Sequence, residues 1–579
     1  MKINKSKLLG LLGAIISLAV AGAFLFSVAS AWLHAKGPFV FGDEVEYAEM
    51  ARAILAGDFL ITGKNQYGPL FPYMLAAVSR VLSVEIHSAG KIINGVAWLA
   101  SVCATYHIVR LLGARRSTCW FAGLLTLVAP FWTFALVTWA DPVFYALFFV
   151  SCLCLALVLK SRCFLFRLLL AVVLGLLFLA KPIGIFYAVC LFCVLVLLYL
   201  RSRDRRHLVA LAQIFVVWLA CIVPWMARNL IESGGLLGYG YAEAYLEKML
   251  QAQGLQAVIL LFAGLAYQLS YIVLLSFGFI GVFVLLWIRN FKHTSEELNG
   301  VSAYLLLSLG LVALISDLHM TPNPFLGYWI ANGRYYANFA PLVIALVFLL
   351  WQEMAARSKS LPAGWLLAVL AAQWALVILA SPMEMAVPYS IVNNPDMGLM
   401  FLPNYFELHS FLVWKTRTVP NVFQIGMAVV LTAMPLLMWG WQGASGGAVG
   451  KASRKCDQEM GVLWLALLCV LMGSTVEYLV FTQMQGVQTE YNKLYIDHRA
   501  EMCGVVYADK GLDAANLAFN HQYWCSSGNV LPLPADTAGA NLGDFLLLAP
   551  VNAAVPQSCR KIAEGTYVLF RCGGAGAAY

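Results

Sequence analysis

Charge is what this sequence has least of. Only 11% of its 579 residues are Asp, Glu, Lys or Arg, against about 25% in an ordinary soluble chain. So few charges cannot clothe the surface of a water-soluble protein of this length. Other absences narrow the function. The nine histidines (His34, His87, His107, His207, His293, His319, His409, His498 and His521) are scattered and show no metal-ligand spacing. There is no G-x-x-x-x-G-K-[ST] phosphate loop and no G-x-S-x-G nucleophile turn. No internal repeat occurs, and the low-complexity content is a Gly/Ser/Ala stretch at 443–450. The net charge of +8 sits largely in short loops. No basic domain or nucleic-acid motif accompanies it, so no nucleic-acid partner is expected.

What the chain has instead is apolar length. It is 61% hydrophobic with a mean hydropathy of +0.79. About thirteen stretches are long enough to cross a bilayer. They lie near 8–33, 89–112, 118–137, 142–160, 165–180, 183–200, 208–229, 267–288, 301–318, 336–352, 363–381, 421–441 and 460–483. Many of the 17 Trp stand near their ends, as in interfacial aromatic belts. The expected fold class is a polytopic α-helical membrane protein with about thirteen transmembrane helices and a small external α/β C-terminal domain. The boundary falls at 483/484, giving a membrane domain at 1–483 and a soluble tail at 484–579.

Basic residues set the orientation. Lys2, Lys5 and Lys7 precede the first span. Every second loop is then short and basic, with Arg110, Arg115 and Arg116; Lys160, Arg162 and Arg167; Arg201, Arg203, Arg205 and Arg206; Arg289 and Lys292; Arg357 and Lys359; and Lys451, Arg454 and Lys455. The positive-inside rule puts these loops in the cytoplasm. The N-terminus is then cytoplasmic and the C-terminus external. Ala29-Ser30-Ala31 looks like a signal cleavage site. The apolar run before it is longer than the roughly 7–15 residues of a signal peptide, so an uncleaved anchor is expected.

The external side carries the suspicious chemistry. The first outer loop, 34–88, reads as two amphipathic helices near 44–56 and 70–84, joined by a Gly/polar turn. A charged helical stretch at 241–253 is expected to lie along the interface, and the loop 382–420 is long and aromatic. Asp43, Glu44, Glu46 and Glu49 follow the first span directly. On a helix from about Glu44, Glu46 and Glu49 share a face and Asp43 stands at the N-cap. Two readings stay open for this run: a capped helix with solvated acids, or a carboxylate site. Asp141, before Pro142 in a tight external turn, is equally a helix start and a site candidate. Lys181 reads alone as a snorkelling lysine, and Arg228 and Arg334 as interfacial anchors. Together they place cations on the same face as the acids, which suits an anionic, phosphate-bearing lipid-linked substrate.

Of the 14 cysteines, those in the spans read as small apolar packing residues. Cys503, Cys525, Cys559 and Cys572 lie in the tail, in an oxidising compartment. Pairing Cys559 with Cys572 closes a short loop and leaves Cys503 with Cys525. Four cysteines allow three connectivities, so this is a preference. Short strands are expected at 517–519, 545–548 and 567–570, with helical stretches near 489–502 and 511–516.

Asp43-Glu44-x-x-Tyr47-Ala48-Glu49-x-Ala51-Arg52, followed by Gly57-Asp58-Phe59, resembles the first-loop signature of membrane glycosyltransferases of the C superfamily. The similar branch is the lipid-carrier-dependent one, with the protein O-mannosyltransferases and the aminoarabinose transferases. Tyr67-Gly68-Pro69-Leu70-Phe71-Pro72-Tyr73 is similar to that branch's Pro-rich stretch. Ala140-Asp141-Pro142, Ala180-Lys181-Pro182-Ile183-Gly184, Val223-Pro224-Trp225-x-x-Arg228-Asn229 and Gly333-Arg334-Tyr335-Tyr336 stand where family members carry comparable motifs. Two positions depart from the aminoarabinose transferases. Glu46 replaces a basic residue, and Tyr67-Gly68 replaces Glu-Lys. Both are donor-phosphate positions in that family, so the aminoarabinose substrate does not carry over and phosphate contacts must come from elsewhere.

The resemblance implies an inverting transfer from a polyprenyl-phosphate sugar to an envelope lipid, glycan or protein, on the outer face of the inner membrane. Asp43 would be the general base. Lys181, Arg228 and Arg334 would hold the leaving phosphate. Glu44, Glu46 and Asp141 would orient sugar or acceptor, or hold a divalent cation. Tyr47 and Tyr67 would pack on the sugar, and Tyr335 would join the substrate-binding set. The competing class is a transporter or flippase of a lipid-linked substrate. It is disfavoured because the acids cluster on one face and no repeated halves or broken helices are evident.

Overall fold

The computed structural model describes residues 42–62, 67–129, 135–161, 163–236, 278–320, 335–336, 338–357 and 362–380, strands between 506 and 572, and scattered residues in 19–33 and 261–276. The expected class is the observed one, a polytopic helical membrane protein with a small sheet near the C-terminus. Five of the described helices are long and apolar enough to cross a membrane. The expected spans at 421–441 and 460–483, the stretch 241–253, the loop 382–420, and the tail segments 489–502 and 511–519 lie outside the described residues.

After scattered helical residues in 19–33, two short helices have described bounds, α1 (Gly42–Leu55) and α2 (Leu70–Leu82). They match the helices expected near 44–56 and 70–84. Then follow α3 (Ile86–Leu111), α4 (Arg116–Val128), α5 (Asp141–Ser161), α6 (Phe164–Ala180), α7 (Gly184–Ser202) and α8 (Arg206–Ser233). Further helices with described bounds are α9 (Phe279–Asn290), α10 (Glu296–Met320), α11 (Phe339–Ala356) and α12 (Ala363–Ala380). At about 1.5 Å per residue, helices of 20 or more residues match a hydrocarbon core of about 30 Å.

One span is shorter than its apolar run. The sequence predicts helix over 118–137, yet α4 ends at Val128. The cause is local. Ala129 precedes Pro130 and is extended, with φ −62° and ψ 147°. A residue before proline is pushed out of the helical region by the proline ring. Residues 135–136 make a short 3₁₀ turn, and 137–140 then run non-helically, buried, into the start of α5.

α5 is the centre of the bundle. Its apolar window is 78% buried, because α3, α6 and α10 all pack along it. α3 also packs on α4, α6 on α8, and α9 on α11. Rings of α5, α7, α10 and α11 interlock below the head of α5. Phe148 meets Tyr187 at 5.1 Å, Phe339 at 5.0 Å and Tyr304 at 5.7 Å between centroids. Such pairs add about 0.5–1.5 kcal/mol each beyond the area they bury.

The strands are β1 (Val506–Ala508), β2 (Val530–Pro532), β3 (Phe545–Pro550), β4 (Cys559–Glu564) and β5 (Tyr567–Cys572). The order is β2-β1-β3-β5-β4, parallel at β2-β1-β3 and antiparallel at β3-β5-β4. The two-residue side-chain period divides β3 between two apolar clusters. Leu546 and Leu548, with Val506 and Leu569, belong to one cluster with Val45, Ile54 and Phe71 of α1 and α2. Leu547 and Ala549 face the other way, against Cys572. The sheet is thus continuous in packing with the two outer helices. Cys559 and Cys572 stand opposite each other across β4 and β5 and are disulfide-bonded. Cys503 and Cys525 lie outside the described residues.

Candidate active site

α1 begins at Gly42, one to two residues earlier than the sequence suggests, so Asp43 and Glu44 both fall in its first turn. Carboxylates there are favoured by the exposed N–H groups of the helix end. Their surroundings differ. Asp43 is half-buried, and its Oδ1 accepts a hydrogen bond from the Tyr67 hydroxyl at 2.9 Å. Glu44 is fully buried, and its Oε1 accepts the Thr138 backbone N–H at 2.7 Å. Glu46 and Glu49 are half-buried on the same helix. Tyr47 is 1% exposed, wedged edge-on against Tyr67 at 5.0 Å and Phe71 at 5.2 Å. It has no face left for a sugar, and it fixes the Tyr67 ring that holds Asp43.

The second acid has a partner. Lys181 Nζ lies 2.7 Å from Asp141 Oδ1, and both residues are buried. Burial removes the snorkelling reading of Lys181. The pairing is produced by two helix ends: Asp141 opens α5, and Lys181 follows the last residue of α6. Asp141 Oδ2 is also buried and has no hydrogen-bond partner among the described residues. A buried carboxylate oxygen without a donor is costly. It is an acceptor waiting for a hydroxyl, a water or a cation. The Tyr335 ring lies 5.6 Å from Lys181 Nζ. Arg334 lies outside the described residues.

Glycine joins the two acidic arms. A Cβ on Gly68 would stand 2.2 Å from the Leu179 carbonyl oxygen and 2.7 Å from the Ala180 backbone. The segment after Tyr67 therefore lies directly on the backbone that ends in Lys181. The contacts close a circuit. Asp43 reaches Tyr67, Gly68 rests on Leu179 and Ala180, Lys181 reaches Asp141, and Thr138 returns to Glu44 beside Asp43.

Arg228 does something other than present an open fork. Its Nε donates to the Leu60 carbonyl at 3.0 Å, one terminal nitrogen donates to the Ile61 carbonyl, and the other to Asn229 Oδ1 at 3.1 Å. Its guanidinium also sits over Trp225 at 4.7 Å. The turn it grips is strained: Ile61 has φ +53°, a region that costs a non-glycine residue about 1–2 kcal/mol. Tyr73 helps by donating its hydroxyl to the Phe59 carbonyl. Burial, and then the nearby Asp58 carboxylate, raise the Tyr73 pKa, so the phenol stays a donor. Arg228 thus holds the hinge between α1 and α2.

Polar residues on α3 also join the site, and sequence reasoning missed them. His87 and Asn94 are buried and contact Thr138 and its neighbours, while Lys91 donates to the Trp32 carbonyl at 2.7 Å. Their signal was there to read, as three polar residues at i, i+4 and i+7 of an apolar span. Among the described residues no group of three or more His, Cys, Asp or Glu could hold a metal ion.

The fold has counterparts among solved structures. The crystal structure of ArnT from Cupriavidus metallidurans bound to undecaprenyl phosphate superposes with a TM-score of 0.51 at 15% identity, covering 97% of each chain. The same protein in the apo state gives 0.50 at 16% identity, over 96% of this chain and 98% of that one. The chain shares the fold of these ArnT structures. No family model and no curated protein matches the sequence. The match runs end to end.

Proposed function

We propose that the chain is a glycosyltransferase that moves a sugar from a polyprenyl-phosphate donor to a hydroxyl of an envelope lipid, glycan or protein. The reaction would take place at the outer face of the inner membrane, with the N-terminus cytoplasmic, the tail external and 1–483 as the catalytic unit. The observation that carries this reading is the circuit. It holds a half-buried carboxylate, Asp43, in one frame with a buried Lys–Asp pair whose Asp141 Oδ2 has no partner among the described residues. A polyprenyl carrier is supported by the undecaprenyl phosphate bound to the similar ArnT structure.

The chemistry divides between the two arms. Asp43 takes the proton from the acceptor hydroxyl as that oxygen attacks the anomeric carbon. The bond from that carbon to the phosphate oxygen breaks through an oxocarbenium-like transition state, and the phosphate leaves with added negative charge. Lys181 meets that charge. An ammonium has three N–H donors, and Asp141 takes up one of them. Arg334 joins Lys181 on the phosphate, a role that rests on the resemblance of its motif. Arg228 contributes by fixing the α1–α2 hinge. Asp141 Oδ2 accepts a sugar or acceptor hydroxyl, Glu46 and Glu44 border the same acidic arm, and Tyr67 and Tyr335 flank the substrate.

Asp43→Asn tests this reading. Asparagine keeps an oxygen for the Tyr67 hydroxyl and is as good as Asp at a helix start. The folded protein is therefore expected to survive, while release of polyprenyl phosphate in a single turnover falls by a factor on the order of 10²–10⁴. Near-normal release by a well-folded Asp43→Asn protein would remove Asp43 as the base.

A further inference from the structure

The face of α3 that carries His87, Gly90 and Asn94 meets the non-helical run 137–139. Each polar contact there is specific. Asn94 Nδ2 donates to the Val137 carbonyl at 2.7 Å and to the Trp139 carbonyl at 2.9 Å. His87 Nδ1 lies 3.1 Å from Thr138 Oγ1. A Cβ on Gly90 would stand 2.9 Å from Thr138 Cγ2, so the missing side chain seats the threonine methyl. From the other side, Glu44 takes the Thr138 N–H. Two carbonyls, one hydroxyl and one N–H of three consecutive residues are thus gripped by side chains of two different helices.

Non-helical backbone inside a membrane protein must have its polar groups satisfied. That need alone would justify Asn94. It does not explain why the second holder of Thr138 is Glu44, the neighbour of Asp43, or why the gripped run ends two residues before Asp141. We propose that His87 and Asn94 are positioning residues that set the placement of Asp141 and Lys181 relative to Asp43. The clamp rests on the transferase reading for its purpose, and on the described contacts for its existence. Loosening it leaves every substrate-touching group present but lets the two arms drift. A misplacement of about 1 Å at a reacting centre costs on the order of 10²-fold in rate.

The experiment uses the full-length protein in lipid nanodiscs, with His87→Leu, His87→Asn and Asn94→Leu. Two readouts are taken. The first is kcat and donor KM for polyprenyl phosphate release, on whichever of a panel of undecaprenyl-phosphate hexoses and pentoses the wild type uses. The second is amide exchange of peptides spanning 135–141. His87→Leu and Asn94→Leu are expected to lower kcat on the order of 10²-fold with donor KM little changed, and to speed exchange in 135–141 alone. His87→Asn is expected to recover most of the activity, because its amide reaches the place of Nδ1. If Asn94→Leu does not fold, the two His87 variants decide. The clamp is overturned by unchanged exchange and kcat in His87→Leu, by His87→Asn no better than His87→Leu, or by faster exchange throughout the protein. A wild type that releases polyprenyl phosphate from no donor sinks the transferase reading instead. Exchange at 135–141 would then still decide whether the clamp exists.

Discussion

The Lys181–Asp141 pair gives a prediction in which stability and activity part company. The two groups are 2.7 Å apart, with side chains 11% and 1% exposed, so neither can turn to water when its partner is lost. Asp141→Asn leaves an ammonium buried against the Tyr335 ring. Lys181→Met leaves a carboxylate with neither oxygen partnered among the described residues, since Oδ2 already has no donor there. Breaking such a pair from one side costs about 3–5 kcal/mol. The double variant, Asp141→Asn with Lys181→Met, removes both charges at nearly constant volume. Replacing a buried pair with neutral groups is often close to neutral for stability. Each single variant should therefore unfold at clearly lower denaturant concentration, and the double variant should return to within about 1–2 kcal/mol of wild type. Transfer should not return, because the double variant lacks the cation proposed to meet the leaving phosphate and the carboxylate that positions it. The assay is equilibrium unfolding in mixed micelles, run beside polyprenyl phosphate release. Additive, sub-kilocalorie single effects would refute the argument that this pair is desolvated. Recovery of activity in the double variant would show that the pair is structural only.

Gly68→Ala should abolish release of polyprenyl phosphate or lower it steeply. Its Cβ would meet main-chain atoms of Leu179 and Ala180 rather than a yielding side chain, at a cost of about 1–3 kcal/mol in overpacking, and wild-type turnover would argue against close contact there. Cys559 and Cys572 should resist thiol labelling in the unreduced protein, since they are bonded across β4 and β5, and full labelling of both would contradict the bond. Reporter fusions after Lys7 and Arg205 should be active in the cytoplasm and one after Gly574 outside, with an external signal at Arg205 enough to reject the orientation.

Much of this scaffold was legible because helices announce themselves by length and punctuation. The two outer helices, the opening of α5 at Asp141-Pro142 and the break of α6 at Lys181-Pro182 can all be read from apolar runs and prolines. Pro130 was legible too, but a continuous apolar run masked its effect, and residues 135–137 were read as the end of a span, with Thr138 in the turn after it. The contact that ties Thr138 to Glu44 spans 94 residues and leaves no local mark in the sequence. Asp141 and Lys181 each had a plain local explanation, a helix start and an interfacial lysine. Forty residues separate them, and a single sequence carries no signal that they touch. Arg228 was read as an interfacial anchor, but its carbonyl partners depend on the fold of a turn with a left-handed isoleucine. β4 escaped notice because Cys-Arg-Lys-Ile-Ala-Glu lacks an apolar alternation, as befits a strand at the edge of a sheet.

The closed circuit also limits how this protein can be recombined with others of its fold. Its links come from four separate stretches, 43–44, 67–68, 138–141 and 179–181, and each stretch fits two of the others. A chimera that imports the first outer loop alone brings an acid whose two supports, Tyr67 against the α6 end and Thr138 against Glu44, were shaped for a different partner. Effects of residues sharing one network do not add. Exchange of donor or acceptor preference is therefore expected to succeed when the four stretches travel together, and to give folded but silent proteins when they travel singly.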